Sequence, residues 1–116
     1  MIKKILIVED EIINAIFLKT ILTKNNFEVL EIADNAIDAI NIAAEQNPDL
    51  ILMDIKLNGD MDGINAIKEI QKIKPIDHIY VTAYDDKNII RRALETNPKN
   101  IIPKPINIID FLRNIE

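Results

Sequence analysis

The sequence contains no cysteine, no long apolar run and no sustained stretch of basic residues. Without cysteine the chain can form neither disulfides nor metal sites built from thiolates. No apolar stretch is long enough to span a membrane, and the N-terminus, MIKKILIVED, turns acidic after a short apolar run, so a signal peptide is not expected. The net charge of −5 argues against nonspecific nucleic-acid binding. We therefore expect a cytoplasmic protein with no membrane partner and no direct nucleic-acid partner.

The chain does have enough apolar residues for one core. Its 116 residues fit a single domain, and 48% of them are apolar. The most informative stretch is 48–63, PDLILMDIKLNGDMDG, in which a continuous apolar run ends on Asp54. Bounded by Pro48 and Asn58-Gly59, this run predicts a strand buried on both faces. An ionised carboxylate at its end must be exposed at the sheet's edge, paired, or bound to a cation.

Strand patterns alternate with helix patterns along the rest of the chain. Strands are expected over residues 3–8, 27–32, 48–54, 79–82 and 101–102, the second of them near a sheet edge. Helices are expected over 11–25, 36–44, 63–73, 86–95 and 107–115. This alternation implies right-handed crossovers, a parallel sheet and helices on both faces. We expect an α/β fold in which residues 1–116 form one doubly wound domain.

Polar residues follow several of these strands. Carboxyl ends of parallel strands meet at one edge of the sheet, and ligands bind there. Glu9 and Asp10 follow the first strand, and Asp54 ends the third. Thr82 ends the fourth strand, and Lys104 follows the fifth. The sequence therefore places these five polar side chains at one edge of an otherwise apolar sheet.

At these residues the chain resembles the receiver domain of two-component response regulators. The motifs KKILIVEDE, LILMDIKLNGDMDG, IYVTAYDD and IIPKPI occur in order and span nearly all of it. The resemblance implies a flavodoxin-like (βα)5 fold with strand order 2-1-3-4-5. It implies a signalling switch rather than an enzyme, with a sensor histidine kinase as phosphodonor and a downstream protein target or output domain. The domain would be a monomer or a phosphorylation-dependent dimer.

The resemblance also implies an acidic pocket for Mg²⁺. Asp10 and Asp54 would be direct ligands, the Lys56 backbone carbonyl a third, and Glu9 would act through water. Three carboxylates a few ångström apart repel one another, by about 4 kcal/mol per pair at about 4 Å and an effective dielectric near 20. Mg²⁺ would offset this repulsion, because it takes hard oxygen ligands and retains several waters.

In the same resemblance three side chains would contact the phosphoryl group. Asp54 would accept it as the nucleophile, Thr82 would hydrogen-bond to it, and Lys104 would pair with it. The bond between Lys104 and Pro105 is expected to be cis, as in the family. Phosphorylation replaces one carboxylate charge by about −1.5 to −2. Thr82 and Lys104 would then move toward new partners and pull their loops with them.

The chain departs from the family's pattern at a few positions. The loop after Asp54 carries one extra residue and has 57–59 as Leu-Asn-Gly, where many receivers have Met-Pro. Ile101 replaces the aromatic residue that rotates in many receivers, so activation must be read out differently. Tyr84 and Lys56 occupy positions that tune self-hydrolysis in the family.

Two other functions remain open at this point. A small Mg²⁺-dependent phosphotransferase or nuclease of the toprim type would use Glu9, Asp60 and Asp62 as ligands and would leave Thr82 and Lys104 without a role. A phosphorylation-independent interaction module would need none of these groups. A loop acid and a helix cap account for Asp60 and Asp62 more simply.

The remaining notable residues have structural interpretations. His78, the only histidine, is expected on the surface and away from the acidic edge. Arg91 and Arg92 are expected on a solvated helix face, and Glu11 is expected to favour the helix dipole rather than bind metal. Met53 and the isoleucines are expected in the core.

Overall fold

Within residues 3–83 and 85–116, which the computed structural model describes, five parallel strands form one sheet. The strands are β1 Lys4–Val8, β2 Glu28–Ala33, β3 Leu50–Met53, β4 Asp77–Thr82 and β5 Asn100–Pro103. The helices in the same described ranges are α1 Ile12–Lys24, α2 Ala36–Gln46, α3 Gly63–Ile73, α4 Lys87–Leu94 and α5 Ile108–Ile115. The sheet order is β2-β1-β3-β4-β5. The predicted fold and strand order are confirmed, with β2 at an edge.

The sheet separates two apolar cores. Leu6 and Val8 of β1 lie in the core beneath α2 and α3, whereas Ile5 and Ile7 lie in the core beneath α1 and α5. Residues of β3 alternate in the same way. Because both faces of these strands are covered, their sequences are continuous apolar runs rather than alternating ones.

Side-chain caps fix where several helices begin. Asn35 accepts a hydrogen bond from the Asp38 N–H at the start of α2. Asp62, Asp86 and Asn107 cap α3, α4 and α5 in the same way. Each cap satisfies backbone donors that have no partner within the helix. Among the described residues, no helix is long and apolar enough to cross a membrane.

The expectation that the isoleucines are core residues is wrong for Ile37 of α2, Ile73 of α3, and Ile108 and Ile109 of α5, which are exposed. It is also wrong for the first turns of α1. Ile13 is 79% exposed, and Ile12, Ile16 and Phe17 are also exposed. The buried face of α1 consists of other residues, namely Ala15, Leu18, Ile21 and Leu22. Since apolar residues surround the start of this helix, their spacing did not reveal which face is buried.

The expectation that His78 is a surface residue is also wrong. It lies in β4, at the end opposite Thr82, and is only 2% exposed. Its ring packs edge-on against Tyr80, with ring centroids 5.2 Å apart. Its Nε2 lies 3.0 Å from the Thr96 hydroxyl. This hydrogen bond allows the polar ring to be buried.

Candidate functional site

Acidic residues meet where β1 and β3 end. The two strands are paired with Val8 opposite Met53, so the residues that follow each strand come side by side. The Asp54 N–H donates to the Val8 carbonyl at 3.0 Å and holds this alignment. Carboxylate oxygens of Glu9, Asp10 and Asp54 all lie within 4.8 Å of one another. The structure thus brings together the acids that the sequence placed at this edge.

Lys104 joins two of these acids. Its Nζ donates to Glu9 Oε1 at 2.7 Å and to Asp54 Oδ2 at 2.9 Å. Burial lowers the pKa of the Lys104 ammonium, but the hydrogen bonds and charges of Glu9 and Asp54 outweigh it, and the net pKa is raised. Lys104 is therefore charged at neutral pH. The peptide bond between Lys104 and Pro105 is cis, as predicted.

Glu9 lies beneath the other acids and is 3% exposed. Burial raises the pKa of its carboxyl, and Asp54 adds to the rise, against the lowering effect of Lys104. Glu9 Oε2 is buried and has no hydrogen-bond partner among the described residues. Leaving a buried acceptor unsatisfied is costly. A cation, or a water held by one, would satisfy this oxygen, so the donor set fits a hard divalent ion.

The loop after β3 closes back on Asp54. The Gly63 N–H donates to the Ile55 carbonyl at 2.7 Å. A Cβ atom at Gly63 would lie 1.9 Å from the Asp54 carbonyl oxygen, so only glycine fits this approach. Gly59 has φ +97°, and Asn58 pairs with Asn35 in a short parallel bridge. The extra loop residue is thus accommodated beside the start of α2.

The predicted site residues other than Glu9 line one cleft of about 540 Å³. It is lined by Asp10, Asp54, Lys56, Thr82 and Lys104, together with Glu11, Asn14, Asn58 and Ala83. Glu9 lies below it, in a narrow space that it shares with Asp54 and Lys104. Sequence reasoning missed Asn14, although it follows Asp10 by about one helical turn, which is a usable signal. Thr82 is buried at the rim.

The alternative ligand set is not assembled. Among the described residues, the group of acids close enough to hold a metal ion is Glu9, Asp10 and Asp54. Asp62 instead caps α3 and pairs with Arg92 at 3.2 Å. Arg91 is exposed as expected, whereas Arg92 is partly buried by this contact.

Two of the departures from the family pattern are at positions 101 and 84. Ile101 of β5 lies opposite Tyr80 of β4 and packs, partly buried, against the core beneath α2 and α3. Tyr84 lies outside the described residues.

Comparison with known proteins identifies the family. The model of the response regulator receiver domain matches residues 5–116. The chain belongs to the response regulator receiver domain family. The chemotaxis protein CheY of Bacillus subtilis is 38% identical over 103 residues, covering 88% of this chain and 85% of that protein. CheY of Thermotoga maritima is 39% identical, covering 89% and 86%.

A solved structure supports the same assignment. A CheY-like receiver domain protein from Methanospirillum hungatei has a TM-score of 0.92 and 33% identity, covering 99% of this chain and 91% of that one. As a receiver, the chain is a phosphoacceptor domain of two-component signalling. Receivers take phosphoryl groups from histidine kinases and act on output partners, generally with Mg²⁺. The acidic cluster of Glu9, Asp10 and Asp54 is compatible with such an ion.

Proposed function

We propose that residues 1–116 form one receiver domain in which Asp54 accepts the phosphoryl group. The observation that carries this proposal is the double contact of Lys104 with Glu9 and Asp54 inside the acidic cluster. Lys104 holds Asp54 Oδ2, whereas Oδ1 has a long contact of 3.4 Å with the Lys56 N–H. These contacts orient the carboxylate that would attack phosphorus.

The transfer exchanges one bond for another. An Asp54 oxygen forms a bond to phosphorus as the bond from phosphorus to the donor imidazole nitrogen breaks, and the leaving nitrogen keeps the electron pair. Thr82 donates a hydrogen bond to the transferred group, and Lys104 pairs with its charge. The domain promotes its own phosphorylation and dephosphorylation and acts on no separate substrate.

The cation site consists of three side chains and one carbonyl group. Asp10 and Asp54 would ligate Mg²⁺ directly, the Lys56 backbone carbonyl would be a third ligand, and Glu9 would act through water. When bound, Mg²⁺ supplies positive charge that neutralises the transferring phosphoryl group. Together with Lys104 it balances the three carboxylates.

The exposed apolar start of α1 supports a protein phosphodonor. Ile13 and Phe17 are four residues apart and form one ridge, and Asn14 beside them lines the cleft over Asp54. We assign this ridge to contact with a sensor histidine kinase, since contiguous exposed apolar side chains mark interaction surfaces. A cytoplasmic domain, monomeric or dimerising on phosphorylation, would then engage a downstream protein target or output domain.

Acetyl phosphate with Mg²⁺ tests the chemistry without a kinase. Intact mass should increase by one phosphoryl group in the wild-type protein and in Asp60→Asn, and should not change in Asp54→Asn. Asp60 is the matched control, because it is an exposed acid of the following loop. Retained modification in Asp54→Asn would contradict the proposal, and loss in Asp60→Asn would favour the alternative metal site.

The docking ridge needs a separate comparison. Ile13→Ser should slow phosphorylation by a histidine kinase but leave the acetyl phosphate reaction unchanged. Ile37→Ser is the control, because Ile37 on α2 is also 60% exposed. Equal effects of the two variants on the kinase reaction would rule out the ridge as the donor contact.

A further inference from the structure

Strand β4 carries a row of buried polar side chains on one face. His78, Tyr80 and Thr82 occupy alternate positions and therefore point to the same side of the sheet. Tyr80 lies in the core with Ala93 of α4. All three are almost fully buried. Apolar residues usually occupy such positions, so this row needs partners within the protein.

The Thr96 hydroxyl is the common partner of two members of this row. Thr96 follows α4 and is 3% exposed. Its Oγ1 donates to the Ala93 carbonyl at 2.7 Å and lies 2.8 Å from the Tyr80 hydroxyl and 3.0 Å from His78 Nε2. The Tyr80 hydroxyl and His78 Nε2 therefore share one buried hydroxyl as their hydrogen-bond partner.

These contacts hold one end of α4 more firmly than the other. Gln71 of α3 donates to the Thr96 carbonyl at 2.8 Å, which adds a further bond at the C-terminal end. Within Lys87–Leu94, all of which is described, Ala93 is the buried residue. At the N-terminal end, Asp86 and Lys87 are exposed.

A salt bridge in the last turn of α4 adds little to this attachment. Arg92 reaches Asp62 at 3.2 Å, but both side chains are substantially exposed. A pair of this kind is screened by solvent and contributes weakly. The C-terminal end of α4 thus depends chiefly on Thr96.

We propose that Thr96 is the fixed point of α4 when the receiver is phosphorylated. This inference rests on the proposed function of Asp54. Displacing Thr96 would leave the buried Tyr80 hydroxyl and His78 Nε2 without this hydrogen-bond partner. Displacing the N-terminal end of α4, which follows Thr82 along the chain, disturbs exposed groups and the partly buried Ile89, but among the described residues it separates no pair of buried polar groups there. Rearrangement at the phosphoacceptor edge therefore moves the start of α4 and leaves its end in place.

Amide hydrogen exchange can follow both ends of α4. The Ile90 N–H donates to the Asp86 carbonyl and reports the start of α4, and the Asn97 N–H donates to the Leu94 carbonyl and reports its end. Beryllofluoride with Mg²⁺ serves as the probe, because it mimics an acyl phosphate. In the wild-type protein it should change exchange at Ile90 by about tenfold or more and leave exchange at Asn97 unchanged.

Two substitutions at Thr96 separate its hydroxyl from its shape. Thr96→Val keeps the shape but removes the hydroxyl, so the probe should now change exchange at Asn97 by about tenfold. Thr96→Ser keeps the hydroxyl and should behave as wild type. A Thr96→Val protein in which the change stays confined to Ile90, or a wild-type protein that responds equally at both ends, would overturn the proposal.

Tyr80→Phe keeps the test decisive if Thr96→Val fails to fold. It removes one hydroxyl, so beryllofluoride should change hydrogen exchange at Asn97 in this variant, but by less than in Thr96→Val. If both single variants fold, the two effects should be less than additive in the double variant, because each substitution removes the Tyr80–Thr96 hydrogen bond. Additive effects would contradict the proposal. If beryllofluoride changes exchange nowhere in the wild-type protein, the proposed function fails, and the inference fails with it.

Discussion

Replacing Gly63 with alanine tests how closely the start of α3 is packed against the phosphoacceptor. Helix propensity alone predicts stabilisation by about 1 kcal/mol. In the structure, however, the added carbon would lie 1.9 Å from the Asp54 carbonyl oxygen and 2.9 Å from Met53 Cγ. Contacts of real Cβ atoms stay above 3.0 Å, so the backbone must shift by about 1 Å.

The size of the effect follows from that shift. Forcing a methyl group into a packed core costs roughly 1–3 kcal/mol or more, and the neighbour here is rigid backbone, so we expect a loss of about 3 kcal/mol in the free energy of unfolding. A displacement of about 1 Å in a reacting group costs about 100-fold in rate. Phosphorylation of Gly63→Ala by acetyl phosphate should fall by about that factor.

Urea unfolding and the initial rate of phosphorylation measure the two effects. Gly59→Ala is the matched control, because it makes the same change in open space at φ +97°. Backbone strain there should cost about 1–2 kcal/mol, with a rate within a few-fold of wild type. If Gly63→Ala were as stable and as reactive as the wild-type protein, the contact with Asp54 would not constrain the site.

Other parts of the site give further predictions. Lys104→Met removes the shared partner of Glu9 and Asp54 and should lower the free energy of unfolding without Mg²⁺ by about 1–2 kcal/mol, a loss that urea titration would detect. Binding of one ion should raise the free energy of unfolding by about 1.4 kcal/mol per tenfold increase in saturating Mg²⁺, and Asp10→Asn should abolish this slope. Burial lowers the pKa of His78, against weaker raising effects of the Ile76 backbone and Asp77. The unfolded chain therefore takes up this proton first as pH falls below about 6.5, and stability is lost from there down toward the folded pKa. The free energy of unfolding of His78→Gln should not show that loss. Glu9 has the opposite effect, because its folded pKa is raised, but it acts equally in both proteins. Subtracting the pH profile of the variant from that of wild type therefore removes the Glu9 contribution.

The sequence was sufficient for the architecture and for predicting that the candidate site residues lie together at one edge of the sheet. Alternating patterns gave the strands and helices, and the polar residues that follow them fall at one edge because parallel strands point the same way. The strand order came from the family resemblance. The helix cap Asp62 was predicted, because short polar side chains bind free N–H groups locally.

What the sequence did not reveal depends on contacts between distant residues. His78 can be buried because Thr96, in another element, binds its ring, and no local pattern shows that partner. The start of α1 is apolar on several sides, so only the position of the sheet determines that Ala15 faces inward and Ile13 outward. The role of Asp62 in joining α3 to Arg92 is hidden for the same reason.

The Lys104 N–H donates a main-chain hydrogen bond of 2.9 Å to the Thr82 carbonyl. This bond links the backbone positions of two site residues. Thr82 ends β4 and Lys104 directly follows β5, so the two residues are hydrogen-bonded where the neighbouring strands leave the sheet. A pull on Thr82 is therefore transmitted directly to the base of the lysine. We therefore expect an insertion in either loop that breaks this hydrogen bond to displace both side chains from the site.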